Sequence, residues 1–259
     1  AHNGVMAYEH AYQGVEARKA YFFMGDAMVC MGSGIKAART QEVRTSVNQC
    51  LANGEVTYGL SGHTYRLTNN LSDKNIDWAY HDNVGYIFPQ NESVTLRKAK
   101  QTGAWRELEV TASDKPVTKE IFSLWVSHGT TPQHEDYCYI IMPDKPLSYF
   151  TDKKFENEIK IIVNSEQIQA ISNENKRQYA AVFYEPGEIR FAEDLVVAVN
   201  KKVIIYIEKK DKQYEIAVAD PLYKEQSLQL SMNGEQINIV FPSGDYSGSS
   251  VIKHITEKH

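Results

Sequence analysis

The chain has 259 residues, 42% hydrophobic and 24% charged, which excludes a disordered or collagen-like polypeptide. Lys and Arg number 28 against 33 Asp and Glu, giving a formal charge of −5 with no basic tract. That balance argues against a nucleic-acid partner, and any polyanion must meet a local patch rather than the mean field.

No run approaches the roughly 18 apolar residues of a membrane-spanning helix, so no membrane partner is expected. Ala1-His2-Asn3-Gly4 shows neither the charged nor the apolar region of a signal peptide. The expectation is that a leader was never present or has been removed. Cys30, Cys50 and Cys138 are too few for a disulfide scaffold and have no CxxC spacing. Three buried thiols are expected, with a Cys30–Cys50 or Cys50–Cys138 bridge as the alternative.

The 16 Tyr, 9 Phe and 3 Trp fall with β-branched residues into short runs between Gly, Asn, Asp and Pro, the signature of strands. In the first part of the chain these runs are 19–24 (KAYFFM), 27–31 (AMVCM), 42–47 (EVRTSV), 83–88 (NVGYIF), 120–126 (EIFSLWV) and 137–142 (YCYIIM). Later runs are 158–163 (EIKIIV), 166–171 (EQIQAI), 180–184 (AAVFY), 202–208 (KVIIYIE), 213–218 (QYEIAV), 227–231 (SLQLS) and 236–240 (QINIV). Ile237, Ile239 and Phe241 recur with period two, so one face enters a core. No convincing helix is predicted, since 15–21 leads straight into an aromatic β run. Residues 209–212 (KKDK) read as a hairpin loop. Pro143, Asp144, Lys145 and Pro146 break the pattern, so a boundary is expected within 142–157. It separates a larger aromatic-rich β domain (1–150) from a small β sandwich (158–259).

Several strings invite chemistry. Gly32 and Gly34 suit a strand-end turn or bulge better than a phosphate cradle, because no helix N-terminus follows. Across 78–86 (WAYHDNVGY), period two puts Trp78, Tyr80 and Asp82 on one face and Ala79, His81 and Asn83 on the other, which makes a His81–Asn83 pair geometrically possible. The alternative is a strand running into a turn. His128, His134 and Glu135 are a possible metal set without zinc spacing; a polar loop between two buried strands is the plainer reading. Ser127 beside His128 points to the opposite face and makes no triad. Arg97, Lys98, Lys100 and Arg106 gather around Trp105, where an indole face and cations could hold an acidic sugar; a solvated charge run beside a core Trp is the plainer reading.

Taken together, KAYFFMGDAMVCMGSGI, RTSVNQC, WAYHDNVGYIFP, QTGAW, WVSHGTTPQHEDYCYIIMP, IKIIVNSEQIQAI, VFYEPG and AVADP resemble, in order, polysaccharide lyase family 8, the chondroitin AC, hyaluronate and xanthan lyases. Chondroitin AC lyase is the nearest in flavour. The resemblance implies an all-β fold: the C-terminal part of a β supersandwich, then a small β-sandwich domain. It also implies a partner, the N-terminal α/α toroid of the same enzyme, which is absent from this chain. Enzymes of this family cleave at a uronic acid by β-elimination. A neutralising Asn offsets the carboxylate, a Tyr or His removes the C5 proton, and a donor protonates the leaving oxygen. In the family these groups lie on the toroid and near the start of the β region, and none matches a position here.

The expectation is therefore a scaffold and possible cleft wall of a secreted or periplasmic bacterial lyase acting on glycosaminoglycan (chondroitin sulfate or hyaluronan). No catalytic residue is assigned. Trp105, Arg97, Lys98, Arg106, His81 and Asn83 are candidate substrate contacts. No metal or cofactor is assigned to this chain, and calcium in the parent enzyme is left open. His81, Asn83, Tyr86 and His128 are expected to pack or end strands. The rival readings are a non-catalytic carbohydrate-binding module and a mutarotase-like sugar epimerase, the latter needing His81 or His128 to face an open cleft.

Overall fold

The computed structural model describes residues 3–38, 40–90 and 92–256. Nearly all its regular structure is β, as the alternating runs predict. The chain divides into two compact units. One takes the described residues up to Lys36, Gln133–Cys138 and those from Lys153 onward; the other takes Ala37–Pro132 and Tyr139–Asp152.

The strands run β1 (Gly4–Tyr12), β2 (Val15–Met24), β3 (Ala27–Ala37), β4 (Arg44–Leu51), β5 (Thr57–Leu60), β6 (His63–Arg66), β7 (Leu71–Asp73), β8 (Ile76–His81), β9 (Val84–Ile87), β10 (Val94–Gly103), β11 (Val117–Ser127) and β12 (Glu135–Pro143). After helix α1 (Leu147–Thr151) come β13 (Lys160–Asn164), β14 (Ile168–Asn173), β15 (Gln178–Phe183), β16 (Gly187–Ala192), β17 (Leu195–Val199), β18 (Val203–Lys210), β19 (Gln213–Ala219), β20 (Ser227–Met232), β21 (Glu235–Val240) and β22 (Val251–Thr256).

In the first unit, a six-stranded sheet (β13-β14-β15-β18-β19-β22) and a four-stranded sheet (β16-β17-β20-β21) form a sandwich. Period two builds its core directly. Ile205 and Ile207 of β18, Ile216 and Val218 of β19, Val197 of β17 and Leu230 of β20 all point inward and are essentially inaccessible. Each such side chain contributes about 1.5–3 kcal/mol by leaving water. Asp211, at φ 54, turns the β18–β19 hairpin where the KKDK loop predicts it.

Strand β15 is buried at every position because β1 and β2 cover its other face. Gln178 Oε1 and Ser172 Oγ are buried there without a hydrogen-bond partner, whereas the amides that meet at Gln169 are paired. Gln169, wholly inaccessible, donates to Asn164 Oδ1 at 2.8 Å and Ser33 Oγ at 3.3 Å, and accepts from the Tyr184 hydroxyl at 2.8 Å. Asn164 donates at 3.1 Å to the carbonyls of both Gly32 and Tyr137. Such full pairing is what keeps a buried amide tolerable. Gly32 lies within strand β3, where a Cβ would stand 2.1 Å from Cε1 of Tyr137. Gly34 has φ +60, as a bulge requires. With β4 following, the pair is a strand device and no phosphate cradle.

In the second unit, a sheet ordered β4-β11-β10-β7 accompanies the strand series β9-β8-β5-β6, flanked by the C-terminal half of β12. Phe122, Leu124 and Val126 of β11 alternate inward. The break at 143–146 leads into α1, with Pro146 at its N-cap. This helix is too short for periodicity to reveal. It buries Phe150 completely, 6.0 Å from Trp78 and 5.5 Å from Tyr80. The ring fits because residue 85 is glycine; a Cβ there would lie 1.9 Å from Phe150 Cζ. Among the described residues no helix is long and apolar enough to cross a membrane.

Candidate functional site

The 78–86 string resolves into a hairpin. Strand β8 ends at His81, and Asp82 and Asn83 take φ 48 and 63, the left-handed pair of a two-residue turn into β9. Alternation stops there, so the strand runs into a turn and the possible His81–Asn83 pair does not form. Asn83 donates to Asp144 Oδ1 at 2.8 Å and accepts from the Tyr80 hydroxyl at 3.2 Å. His81 turns inward at 1% exposure, its ring 4.6 Å from that of Phe122.

His81 joins a polar group that the sequence reading did not assemble. Cys50 Sγ lies 3.6 Å from His81 Nδ1. The Asn48 amide donates to Cys50 Sγ at 3.5 Å and also to the Tyr86 hydroxyl. Burial pushes the Tyr86 phenol up to about 12, against the Asn48 hydrogen bond that lowers it. Burial also holds the His81 imidazole below its ordinary value, with Lys98 adding to the effect and Asp82 and the Asn53 backbone opposing it. A signal was available: Asn48 and Cys50 are two apart on β4 and so share a face. What the sequence withholds is which strand faces β4.

Cys50 is half-buried and not disulfide-bonded, which corrects the expectation of three buried thiols and removes both bridges through Cys50. Cys30 and Cys138 are buried.

The basic cluster also comes apart. Arg97 and Lys98 are neighbours on β10 and project to opposite faces. Lys98 donates to the Gly54 carbonyl at 2.8 Å and pairs with Glu120 at 3.6 Å. Arg106 faces Asp114 at 3.9 Å and donates to the Ala112 carbonyl. Trp105 opens a one-turn 3-10 helix, Trp105–Glu107, and is 60% exposed. It is therefore no core residue, contrary to the plainer reading, and its indole face is accessible. Tyr58 and Tyr65, directly opposite on β5 and β6, stack at 5.6 Å with Tyr65 45% exposed, an aromatic pair that no sequence motif marks.

The loop histidines have separate partners. His128 Nε2 is 2.8 Å from Thr45 Oγ1, and the ring is buried. His134 Nδ1 is 2.6 Å from Glu166 Oε1. Ser127 donates to Glu42, and hydrogen bonds from Arg44 and Ser127 hold the Glu42 carboxyl below its ordinary range. Among the described residues, no three His, Cys, Asp or Glu side chains gather as a metal site.

Comparison with known proteins gives this architecture its family. The model for "Polysaccharide lyase family 8, super-sandwich domain" matches residues 1–154. The chain belongs to polysaccharide lyase family 8. A second model, for the family 8 C-terminal β-sandwich domain, matches residues 160–229. The fold is thus a super-sandwich region followed by a C-terminal β sandwich.

Chondroitinase-AC of Pedobacter heparinus is 30% identical over 96% of this chain, which spans 36% of that protein. Xanthan lyase of Bacillus sp. (strain GL1) is 23% identical over 80% of the chain, which spans 23% of the relative. Hyaluronate lyase of Thermasporomyces composti is 24% identical over 87%, with 29% of the relative spanned. A solved chondroitinase AC lyase, studied as oligosaccharide complexes, superposes with TM-score 0.90 at 27% identity, covering 97% of this chain and 38% of that structure. The chain therefore spans well under half the length of these family 8 relatives.

Proposed function

We propose that this chain is the C-terminal β region of a polysaccharide lyase that cleaves uronic-acid-containing glycosaminoglycans, chondroitin sulfate or hyaluronan, by β-elimination. It supports the enzyme and walls part of its cleft without supplying the reacting groups. The observation that carries this reading is the superposition with chondroitinase AC lyase over 97% of the chain at TM-score 0.90. The partner in this reading is an α/α toroid of the same enzyme. The chain divides near 150–158 into supersandwich and small sandwich. The protein works outside the cytoplasm, secreted or periplasmic.

The chemistry of the described residues supports a scaffold. Elimination needs a base near a uronate C5 and a donor to offset the carboxylate. His81 and Asn83 do not converge. The Tyr86 phenol is held up to about 12 by burial, far from a base poised near neutrality. The amide of Asn48 is already given to Tyr86 and Cys50. The epimerase reading needs an imidazole on an open cleft, but His81 and His128 are both buried.

The binding-module reading is favoured by one observation, the exposed indole of Trp105. Affinity electrophoresis through gels containing chondroitin sulfate separates the two. The scaffold migrates unretarded, since one wall of a cleft holds a polyanion weakly on an acidic chain. Retardation that weakens with salt and disappears in Trp105→Ala or Arg97→Ala replaces the scaffold role with a binding module.

A further inference from the structure

The group around Cys50 has no part in that function. Cys50 differs from Cys30 and Cys138 in being half-buried rather than inaccessible. Its sulfur has two polar neighbours, His81 Nδ1 at 3.6 Å and the Asn48 amide at 3.5 Å. His81 is 99% removed from solvent, and besides the sulfur its ring meets the Asn53 backbone. The ring packs against Phe122, with Nδ1 turned to the sulfur.

The charged and titratable groups facing the pair are Asp82 beside His81, Lys98 from β10 and the Tyr86 phenol from β9. Burial raises the Cys50 thiol, with Asn48 countering and Asp82 reinforcing the rise. Burial lowers His81. At neutral pH the resting pair is therefore an uncharged thiol beside an uncharged imidazole, the state from which a base-assisted nucleophile starts.

We propose that Cys50 and His81 form a thiol–imidazole pair in which His81 Nδ1 takes the thiol proton as Cys50 Sγ attacks a small-molecule disulfide. A bond forms between Cys50 Sγ and one sulfur of the disulfide, and the S–S bond of the small molecule breaks. Its second sulfur leaves with the bonding pair as a thiolate, and the proton passes to it from His81. Cys50 ends as a mixed disulfide, and half of the small molecule is released as thiol. The Asn48 N–H, donated to the sulfur, stabilises the charge that develops there.

Dithiobis(nitrobenzoate) added to the whole native chain tests this. One thiol reacts fast, maps to Cys50 by peptide mass and is lost in Cys50→Ser. In His81→Gln the rate at neutral pH falls about 100-fold or more, the low end of the range for general-base assistance. It rejoins the wild-type rate in alkali, once the burial-raised Cys50 thiol ionises unaided. The wild-type pH–rate profile is an independent readout that needs no folded variant: His81 as base gives a plateau through the neutral range. A wild-type rate that follows thiol ionisation alone, a His81→Gln rate equal to wild type, or a fast thiol at Cys30 or Cys138 overturns the proposal.

Discussion

The small sandwich and the corner around β4, β8 and β9 fill the space between their sheets by different means. In the sandwich, Ile205, Ile207, Val197, Val218 and Leu230 close the gap with aliphatic carbon. In the corner, Asn48, Cys50, His81 and Tyr86 meet through hydrogen bonds and contacts with sulfur. An aliphatic core draws stability from every methylene. A polar corner gains little net, yet is damaged when one partner is left behind. The sandwich should therefore respond to lost volume, and the corner to pH and to the loss of a partner.

The largest effect expected is in the sandwich: Ile205→Ala should cost about 2–5 kcal/mol in denaturant unfolding. A cost below about 1 kcal/mol would mean that the two sheets do not close on that side chain. Gln169→Leu comes next, because it strands the Tyr184 hydroxyl and Asn164 Oδ1 inside the protein, at about 1–3 kcal/mol for each unpaired group. If the leucine is neutral, the network is not holding that face.

Gly85→Ala should cost about 1–3 kcal/mol, since the Phe150 ring occupies the place of the new methyl. The double change with Phe150→Leu should recover part of that loss. Purely additive costs would show that the two residues do not touch.

His81 sharpens the contrast through pH. Its folded-state value lies below the ordinary 6.5, chiefly through burial, so the unfolded chain binds more protons as the pH drops past 6.5. Stability contributed by the neutral ring is complete above that point and is lost on acidification, by at most about 1.4 kcal/mol per pH unit. In His81→Leu that part of the slope should vanish; an unchanged slope would assign it to other groups. The smallest effect is at Trp105, whose exposed indole supports no core. Trp105→Ala should leave stability within about 0.5 kcal/mol, and a larger loss would show that the indole packs.

How legible each region was follows from the same difference. Strands β18 to β21 were readable because one face is aliphatic and the other wet. Strand β6 was not: His63, Thr64, Tyr65 and Arg66 are all exposed, so no alternation marks them. Strand β10 loses its apolar face after Leu96, which is why Arg97 and Lys98 read as a patch instead of opposite sides of a strand. At β8 the period-two rule was extended two residues past its end, and Asp82 and Asn83 belong to the turn. The corner stayed hidden because Cys50 and His81, 31 residues apart on strands of two different sheets, meet only where those sheets pack, which no local pattern encodes.

The central claim is that these residues support a lyase without carrying out its chemistry. Its most direct test is the ultraviolet absorbance of unsaturated uronate when this polypeptide alone is mixed with chondroitin sulfate and with hyaluronan. A flat trace with both polymers is the predicted result. A steady rise in unsaturated product, proportional to the amount of chain added, would contradict it.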